Sequence, residues 1–201
     1  SAHWKVSRTW LLAAAVLLVA LVSLTTLNRR KTPELAQKPP AQTEKRQEIL
    51  ARLAVVETAP PYIPSTMRGG KTQAATERFQ EGMLRYIEQD YTGAIGLLRE
   101  SVSLNAGLQP ALFYLGISQL MTDQPDEAIA SLSRLTRIEA SPYLEESHWF
   151  LAKAYLKKKQ LLAAQRELES VVTLNGAHRQ EARRALDLIQ GLESSQGTPT
   201  Q

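Results

Sequence analysis

Residues 74–177 of this sequence repeat with a period of about 34 residues. Gly82 and Gly116 are 34 positions apart, and a third copy places Ala152 36 positions after Gly116. Apolar residues recur at helical spacing throughout, which predicts units of two helices joined by a tight turn. One such hairpin cannot bury its apolar face, so the copies must stack to form a core. The two extra residues fall most simply around Ser141.

Small residues recur where paired helices must approach closely, and one leucine per copy lies between them. The second helices carry the small residues Ala94, Ala128 and Ala164, then Leu98, Leu132 and Leu168, and are expected to end at Leu104, Ile138 and Leu174. Over residues 74–177 this pattern resembles tetratricopeptide repeats. The resemblance implies an all-α helical solenoid of three repeats, at about 75–107, 109–141 and 145–177. Arg78 and Arg85 depart from it, because the family has apolar or aromatic residues there.

The last hairpin needs a cover, and a further helix over residues 178–192 fits that role. Its apolar residues form one stripe: Ala182, Ala185, Leu186, Ile189 and Leu192. The helical-repeat domain is therefore expected to span residues 74–193. Residues 194–201 are polar and are expected to be disordered.

An uncharged run at residues 9–28 predicts a transmembrane helix. Its 20 residues would span about 30 Å as a helix, the thickness of a bilayer core. Lys5 and Arg8 lie in a short basic flank, residues 1–8, and Arg29 begins a basic cluster on the other side, which is typical of a retained anchor. The competing interpretation is a cleaved signal peptide, but no small-residue cleavage signal follows the run. Because the chain begins with Ser, we expect a processed or truncated product.

Residues 29–73 are basic and rich in proline, which predicts a linker between the span and the repeats. Ile49, Leu50, Leu53 and Val56 stand at helical spacing within it, so a short amphipathic helix is expected to be marginal alone. The following prolines predict an extended segment, which either packs on the repeats through Tyr62 and Ile63 or is a plain spacer.

The composition disfavours an enzyme and a metal site. There are no cysteines, three scattered histidines and four aspartates, so no catalytic or metal-ligating residues and no cofactor are assigned. The sequence Gly69-Gly70-Lys71-Thr72 lacks the glycine and the strand that a phosphate-binding loop needs. Residues 1–73 carry a net charge of +7 and residues 74–201 carry −3. The repeats are thus unsuited to nucleic acid, whereas the basic flanks suit lipid headgroups around residues 9–28.

Tetratricopeptide repeats bind peptides or helices of partner proteins in a concave groove lined by their first helices. Transferred position by position, the resemblance implies a groove that would bind a protein or peptide. Each of the groove residues would be either exposed or part of the core. The predicted groove residues are Phe79, Met83, Tyr86, Phe113, Ile117, Leu120, Trp149, Lys153 and Leu156.

Two charged groups have a structural and a functional interpretation. Lys157, Lys158 and Lys159 stand at the end of a first helix, where the helix dipole favours cations, or they bind an acidic partner. His148 follows two glutamates, and we expect a hydrogen-bonded histidine between helices rather than a metal ligand or an acid–base pair.

The chain has an anchor, a proline-rich stretch and repeats in this order, and it contains the sequence Ser141-Pro-Tyr-Leu-Glu-Glu-Ser-His. In these features it is similar to bacterial membrane proteins that carry a zinc-binding anti-sigma domain before the span. This chain has none of the zinc ligands, so a sigma factor would be bound only through a missing upstream domain.

The sequence therefore predicts a single-pass membrane protein whose repeats bind another protein without catalysis. The alternative is the sensor or assembly half of an anti-sigma regulator. The visible charges favour a cytoplasmic carboxyl-terminal side, whereas the resemblance implies a bacterial inner-membrane protein with extracytoplasmic repeats.

Overall fold

A computed structural model describes residues 40–62 and 73–194, with side chains from residue 43 onward. The predicted span at residues 9–28, Ile63, the Gly69–Thr72 sequence and nearly all of the predicted tail lie outside the described residues. The described residues from 44 onward belong to one compact unit, and every contact given below lies within it.

The described residues are all-α, with eight helices that pack mainly on their neighbours in sequence. They are α1 (Pro40–Ala54), α2 (Gln73–Ile87), α3 (Tyr91–Leu104), α4 (Gln109–Met121), α5 (Pro125–Leu132), α6 (Leu144–Lys157), α7 (Leu161–Leu174) and α8 (Arg179–Ser194). The helices α2/α3, α4/α5 and α6/α7 form three hairpins, and α8 packs on α7. The prediction of an all-helical repeat fold is confirmed. None of the helices within the described ranges has the length and apolar character needed to cross a membrane.

All three hairpins turn in the same way, at the same position of the repeat. Gln89, Asp123 and Lys159 adopt left-handed backbone conformations, with φ of 62°, 58° and 58°. In each turn the backbone N–H of the next residue donates to the carbonyl oxygen five positions earlier, which satisfies a carbonyl at the end of the first helix. These turns stand 34 and 36 residues apart, as the sequence period requires.

The helices of a hairpin approach most closely where the first helix has a small residue. A Cβ atom added to Gly82 would lie 3.0 Å from Leu98 Cγ, and one added to Gly116 would lie 2.6 Å from Leu132 Cγ. The leucines at this position of the three repeats, including Leu168, are at most 1% exposed. In the first two repeats the leucine therefore packs where a larger side chain on the first helix would stand.

The second helix of the middle repeat is shorter than the sequence predicts. It ends at Leu132, so Ile138 lies outside it. Ser133 Oγ donates to the carbonyl of Ile129 at 2.6 Å, and Thr136 Oγ1 donates to the carbonyl of Ser133 at 3.2 Å. Such local side-chain bonds compete with the helical ladder, which gives way here to tight turns.

The central helix α4 is buried on all sides. Its residues from Ala111 to Leu120 are all buried, although a helix in the middle of a row of hairpins should leave one face open. The face that the neighbouring hairpins leave open must have another cover. It comes from residues that the sequence assigned to the linker: Val56, Ala59 and Tyr62 pack against the same core.

At the far end, α8 covers the third hairpin. Ala182 and Ile189 are fully buried in one cluster with Leu168 of α7 and Leu156 of α6. Ala54, the last residue of α1, is buried in that cluster too. The chain before the repeats therefore contributes to the packing at both ends of the domain.

The contact between Gly116 and Leu132 makes a testable prediction. Gly116→Ala should lower the free energy of unfolding by about 1–2 kcal/mol, because overpacking a rigid core outweighs the better helix propensity of alanine. Gly96→Ala is the matched control, since Gly96 is exposed in α3 and no neighbouring atom lies within 4 Å of the added Cβ. It should stabilise by about 0.5–1 kcal/mol. Urea midpoints measure both, and a Gly116→Ala midpoint raised like that of the control would contradict the packing described.

Candidate partner-binding groove

The first helices α2, α4 and α6 together form one surface, which we call the groove, and residues 53–62 lie on it. We call these residues the docked segment. Tyr114 of α4 stands at the centre of the groove. Its ring centroid is 5.4 Å from that of Tyr62, 5.0 Å from that of Tyr86 and 6.4 Å from that of Phe79. The Tyr62 ring also meets the Phe79 ring edge-on at 5.7 Å, so a side chain of the docked segment completes an aromatic cluster built by α2 and α4.

The aromatic cluster continues toward the third hairpin through Phe113. Its ring stacks on Tyr143 at 4.7 Å and meets Phe150 at 6.1 Å. Tyr143 precedes α6 in the loop that holds the two extra residues of the third repeat. The insertion thus places an additional aromatic side chain beside the centre of the groove.

Two tyrosine hydroxyls bind the backbone of the docked segment. Tyr86 Oη donates to the carbonyl oxygen of Pro60 at 2.8 Å, and Tyr114 Oη donates to that of Pro61 at 3.3 Å. These prolines have no N–H, and their carbonyls lie in backbone that is neither helix nor strand, so they are free to accept. The groove therefore holds an extended, proline-containing segment by its main chain.

Burial keeps these hydroxyls protonated. It raises the pKa of Tyr86 and of Tyr114 far above the ordinary value of 10.0, and neighbouring tyrosines raise each further. Burial also raises the pKa of Tyr62 and Tyr143. Both hydroxyls that face the docked segment are thus hydrogen-bond donors at physiological pH.

The opposite end of the docked segment is bound by Lys153 of α6. Its Nζ donates to the carbonyl oxygen of Leu53 at 2.8 Å and stands 4.6 Å from the centroid of the Trp149 ring. Leu53 lies in the last turn of α1, where carbonyls lack helical partners and the dipole favours a cation. Burial lowers the pKa of Lys153, and the Glu57 carboxylate acts in the opposite direction.

His148 and its neighbours hold the last helices together. His148 Nδ1 lies 2.6 Å from Glu167 Oε2 of α7, as expected for a hydrogen-bonded histidine between helices. The Trp149 ring stacks on His178 at 4.9 Å. Glu145 accepts from the backbone N–H of His178 at 2.7 Å. Residues 40–62 and 73–194 contain no group of three or more His, Cys, Asp or Glu side chains arranged to hold a metal ion.

The lysines that end α6 are paired within the chain. Lys157 Nζ lies 2.8 Å from Asp123 Oδ1, and Lys158 pairs with Asp126, so both lysines bind acidic residues of the preceding repeat. The hydrogen bond and charge of Lys157 lower the pKa of Asp123. Lys159 occupies the left-handed position of the turn. The structure thus places the basic cluster at a contact between repeats.

The nine predicted groove residues divide by their surroundings. Three contact the docked segment directly: Phe79, Tyr86 and Lys153. Trp149 is half-buried beneath Lys153, and Leu156 shares a buried cluster with Ala54. The other four, Met83, Phe113, Ile117 and Leu120, are at most 2% exposed. As contacts for a separate partner, all nine stay a prediction.

Sequence reasoning missed Tyr114, whose ring meets those of Tyr62, Phe79 and Tyr86 in the groove. The repeat register contained a signal for it, because Tyr114 and Phe150 both stand two positions before the small residue of their first helix. Transferred positions pointed instead to Phe113, one residue away. The binding of the Pro60 and Pro61 carbonyls had no signal in the sequence, since a main-chain acceptor does not depend on residue type.

No protein-family model matches the chain, and no curated protein matches it. Among solved structures, the chain is similar to a MamA RS-1 ArsTM double mutant, with a TM-score of 0.48 and 17% identity over 64% of this chain and 80% of that one. It is also similar to a chain of the CopN-Scc3 complex, with a TM-score of 0.47 and 17% identity over 73% of this chain and 97% of that one. At these values neither likeness carries information on an activity or a partner.

The buried Tyr86 hydroxyl predicts a loss of stability at alkaline pH. Above pH 10 an unfolded tyrosine releases its proton, whereas native Tyr86 retains it because its pKa is raised. The native state then binds more protons than the unfolded state, so the free energy of unfolding falls as pH rises. Tyr86→Phe should cost about 1 kcal/mol at pH 8, where a hydrogen bond is lost, and less at pH 11. Denaturant titrations at pH 8 and pH 11 measure the difference in free energy of unfolding between Tyr86→Phe and the unmodified chain. An equal difference at the two pH values would contradict the prediction.

Proposed function

We propose that this chain is a membrane-anchored helical-repeat scaffold that binds an extended segment of a partner protein in its groove, without catalysis. The observation that carries the proposal is the pair of bonds from Tyr86 and Tyr114 to the carbonyls of Pro60 and Pro61. Side-chain donors that bind main-chain acceptors in an aromatic groove are typical of proline-rich peptide recognition. The groove thus has the chemistry to hold an extended backbone.

The polar side chains of the groove suit binding rather than a reaction. The side chains that bind the docked segment are tyrosines whose pKa values are raised and a lysine that binds a carbonyl oxygen. General acid–base catalysis needs groups whose pKa values lie near the working pH. Tyrosines held protonated act instead as fixed hydrogen-bond donors.

The anchor in this proposal is the uncharged run at residues 9–28, with basic residues on both sides. The linker would then begin at residue 29 and the repeats at residue 74, with α1 and the docked segment inside the linker. We place the repeats outside the cytoplasm of a bacterial cell, on the sequence resemblance alone. In sequence order, the docked segment would then lie between the span and the first repeat.

A second candidate is the sensor or assembly half of an anti-sigma regulator. The arrangement of anchor, proline-rich stretch and repeats favours it, and the same groove would then receive the signal-bearing protein. The DNA sequence upstream of the codon for residue 1 distinguishes the two candidate functions. A His/Cys zinc motif encoded upstream of residue 1 supports the regulator, and a start codon directly before residue 1 removes it.

Site-specific photo-crosslinking tests the proposed function in cells. A photoreactive phenylalanine at Tyr143, which stacks on Phe113 beside the groove, should form an adduct with another protein in membranes. The same residue at Leu162 is the control, because Leu162 is 71% exposed on α7. We expect the adduct only from position 143, and at least a threefold loss of it with Tyr114→Phe. No adduct at position 143, or equal adducts at both positions, would contradict a partner in the groove.

A further inference from the structure

The docked segment crosses all three hairpins in one direction. Leu53 contacts Lys153 of the third hairpin, and Tyr62 contacts Phe79 of the first and Tyr114 of the second. The chain thus traverses the groove from the last repeat to the first before it enters α2. A segment that traverses the length of a groove occupies the place that a separate ligand would take.

The contacts of this segment are those that a separate peptide could also make. Three are hydrogen bonds to main-chain carbonyls, those of Leu53, Pro60 and Pro61. One is the ring of Tyr62, which meets Phe79 and Tyr114. The ligand that these contacts fit is an extended backbone with two consecutive free carbonyls followed by an aromatic side chain.

Residues 55–62 of the docked segment are held more weakly than the groove beneath them. None of residues 55–62 is buried, and Val55, Glu57, Thr58 and Pro61 are exposed. The groove side chains Phe79, Tyr86 and Tyr114 are 0–6% exposed, so they belong to the folded core. A segment with few buried contacts opens at a small fraction of the global unfolding energy. Residues 55–62 can therefore leave while the hairpins stay folded.

We propose that residues 55–62 of the docked segment are an intramolecular ligand of the groove, which competes with a partner segment that carries the same features as Pro60-Pro61-Tyr62. This inference rests on the proposed function. It adds the chemistry of the ligand and a control of access to the groove. A flexible tether gives its own ligand an effective concentration of the order of millimolar. A partner must displace the docked segment, so its apparent dissociation constant rises by the inverse of the open fraction.

A synthetic peptide of residues 55–66 with a fluorescent label tests the competition on the full 201-residue chain in detergent. Tyr62→Ala removes the ring of the internal ligand and leaves the groove side chains intact. It should bind the peptide about tenfold more tightly than the unmodified chain. Thr58→Ala is the matched control in the same segment, because Thr58 is exposed, and it should bind like the unmodified chain.

The site of peptide binding is checked in the Tyr62→Ala background. Adding Tyr114→Phe removes one donor and should weaken binding about fivefold, which is the loss of one hydrogen bond. Equal affinity of the unmodified chain and Tyr62→Ala overturns the internal competition. Absence of peptide binding to Tyr62→Ala, shown to be folded by its helical circular dichroism, overturns the inferred ligand. The photo-crosslink from position 143 tests the proposed function independently of these two peptide-binding results.

Thiol labelling measures displacement without any change to Tyr62. The chain has no cysteine, so Ala59→Cys places a single thiol on a residue that packs against the core. Saturating unlabelled peptide should raise its alkylation rate at least threefold, because the docked segment leaves the groove. Val55→Cys is the control, since Val55 is 49% exposed already, and its rate should not change. An unchanged rate for Ala59→Cys, with peptide bound, overturns the proposal.

Discussion

Each hairpin of this chain has an apolar face that only another part of the chain can cover, and the fold depends on that constraint. Within a hairpin, the contact between Gly116 and Leu132 shows how closely the two helices approach. Each hairpin makes the same turn with a left-handed residue between its two helices, so the three copies have similar geometry and can stack. The same requirement explains α8, which covers the last hairpin.

Stacking leaves the first helices with a second apolar face, and this face becomes the groove. In α4 that face is buried nonetheless, because Tyr62 and the backbone before it lie against Tyr114. The aromatic rings supply apolar area, and their hydroxyls supply donors for an extended backbone. One set of side chains thus completes the core and holds a removable segment.

The all-helical repeat was predictable from the sequence because its signal is local and occurs three times. Gly82, Gly116 and Ala152 mark the same contact, so an error at one position is corrected by the other two. The shortened α5 was not predicted, because the serine and threonine bonds that end it alter the helix without altering the apolar pattern. The boundary of a helix depends on such single bonds, whereas its existence depends on the pattern.

The groove was harder to predict than the fold. The transferred positions include Phe79, Tyr86 and Lys153, which contact the docked segment. They also include Ile117, which is fully buried, because both faces of a buried first helix are apolar. Their contact with a separate partner stays a prediction. The sequence leaves open whether the segment at Tyr62 packs on the repeats, because its Pro60 and Pro61 carbonyls are bound by Tyr86 and Tyr114, which lie 26 and 53 residues further along the chain. Separations of this length along the sequence leave no signal in the periodic pattern of a helix or a strand.

The most direct measurement is a nuclear Overhauser spectrum of the full chain with labelled tyrosine and phenylalanine rings. An occupied groove predicts cross-peaks from the Tyr62 ring to the Phe79 ring and to the Tyr114 ring, whose centroids lie 5.7 Å and 5.4 Å away. These cross-peaks should disappear when the peptide of residues 55–66 is added in excess. A spectrum in which Tyr62 has neither contact, while Phe79 and Tyr114 keep theirs to each other, would contradict the occupied groove.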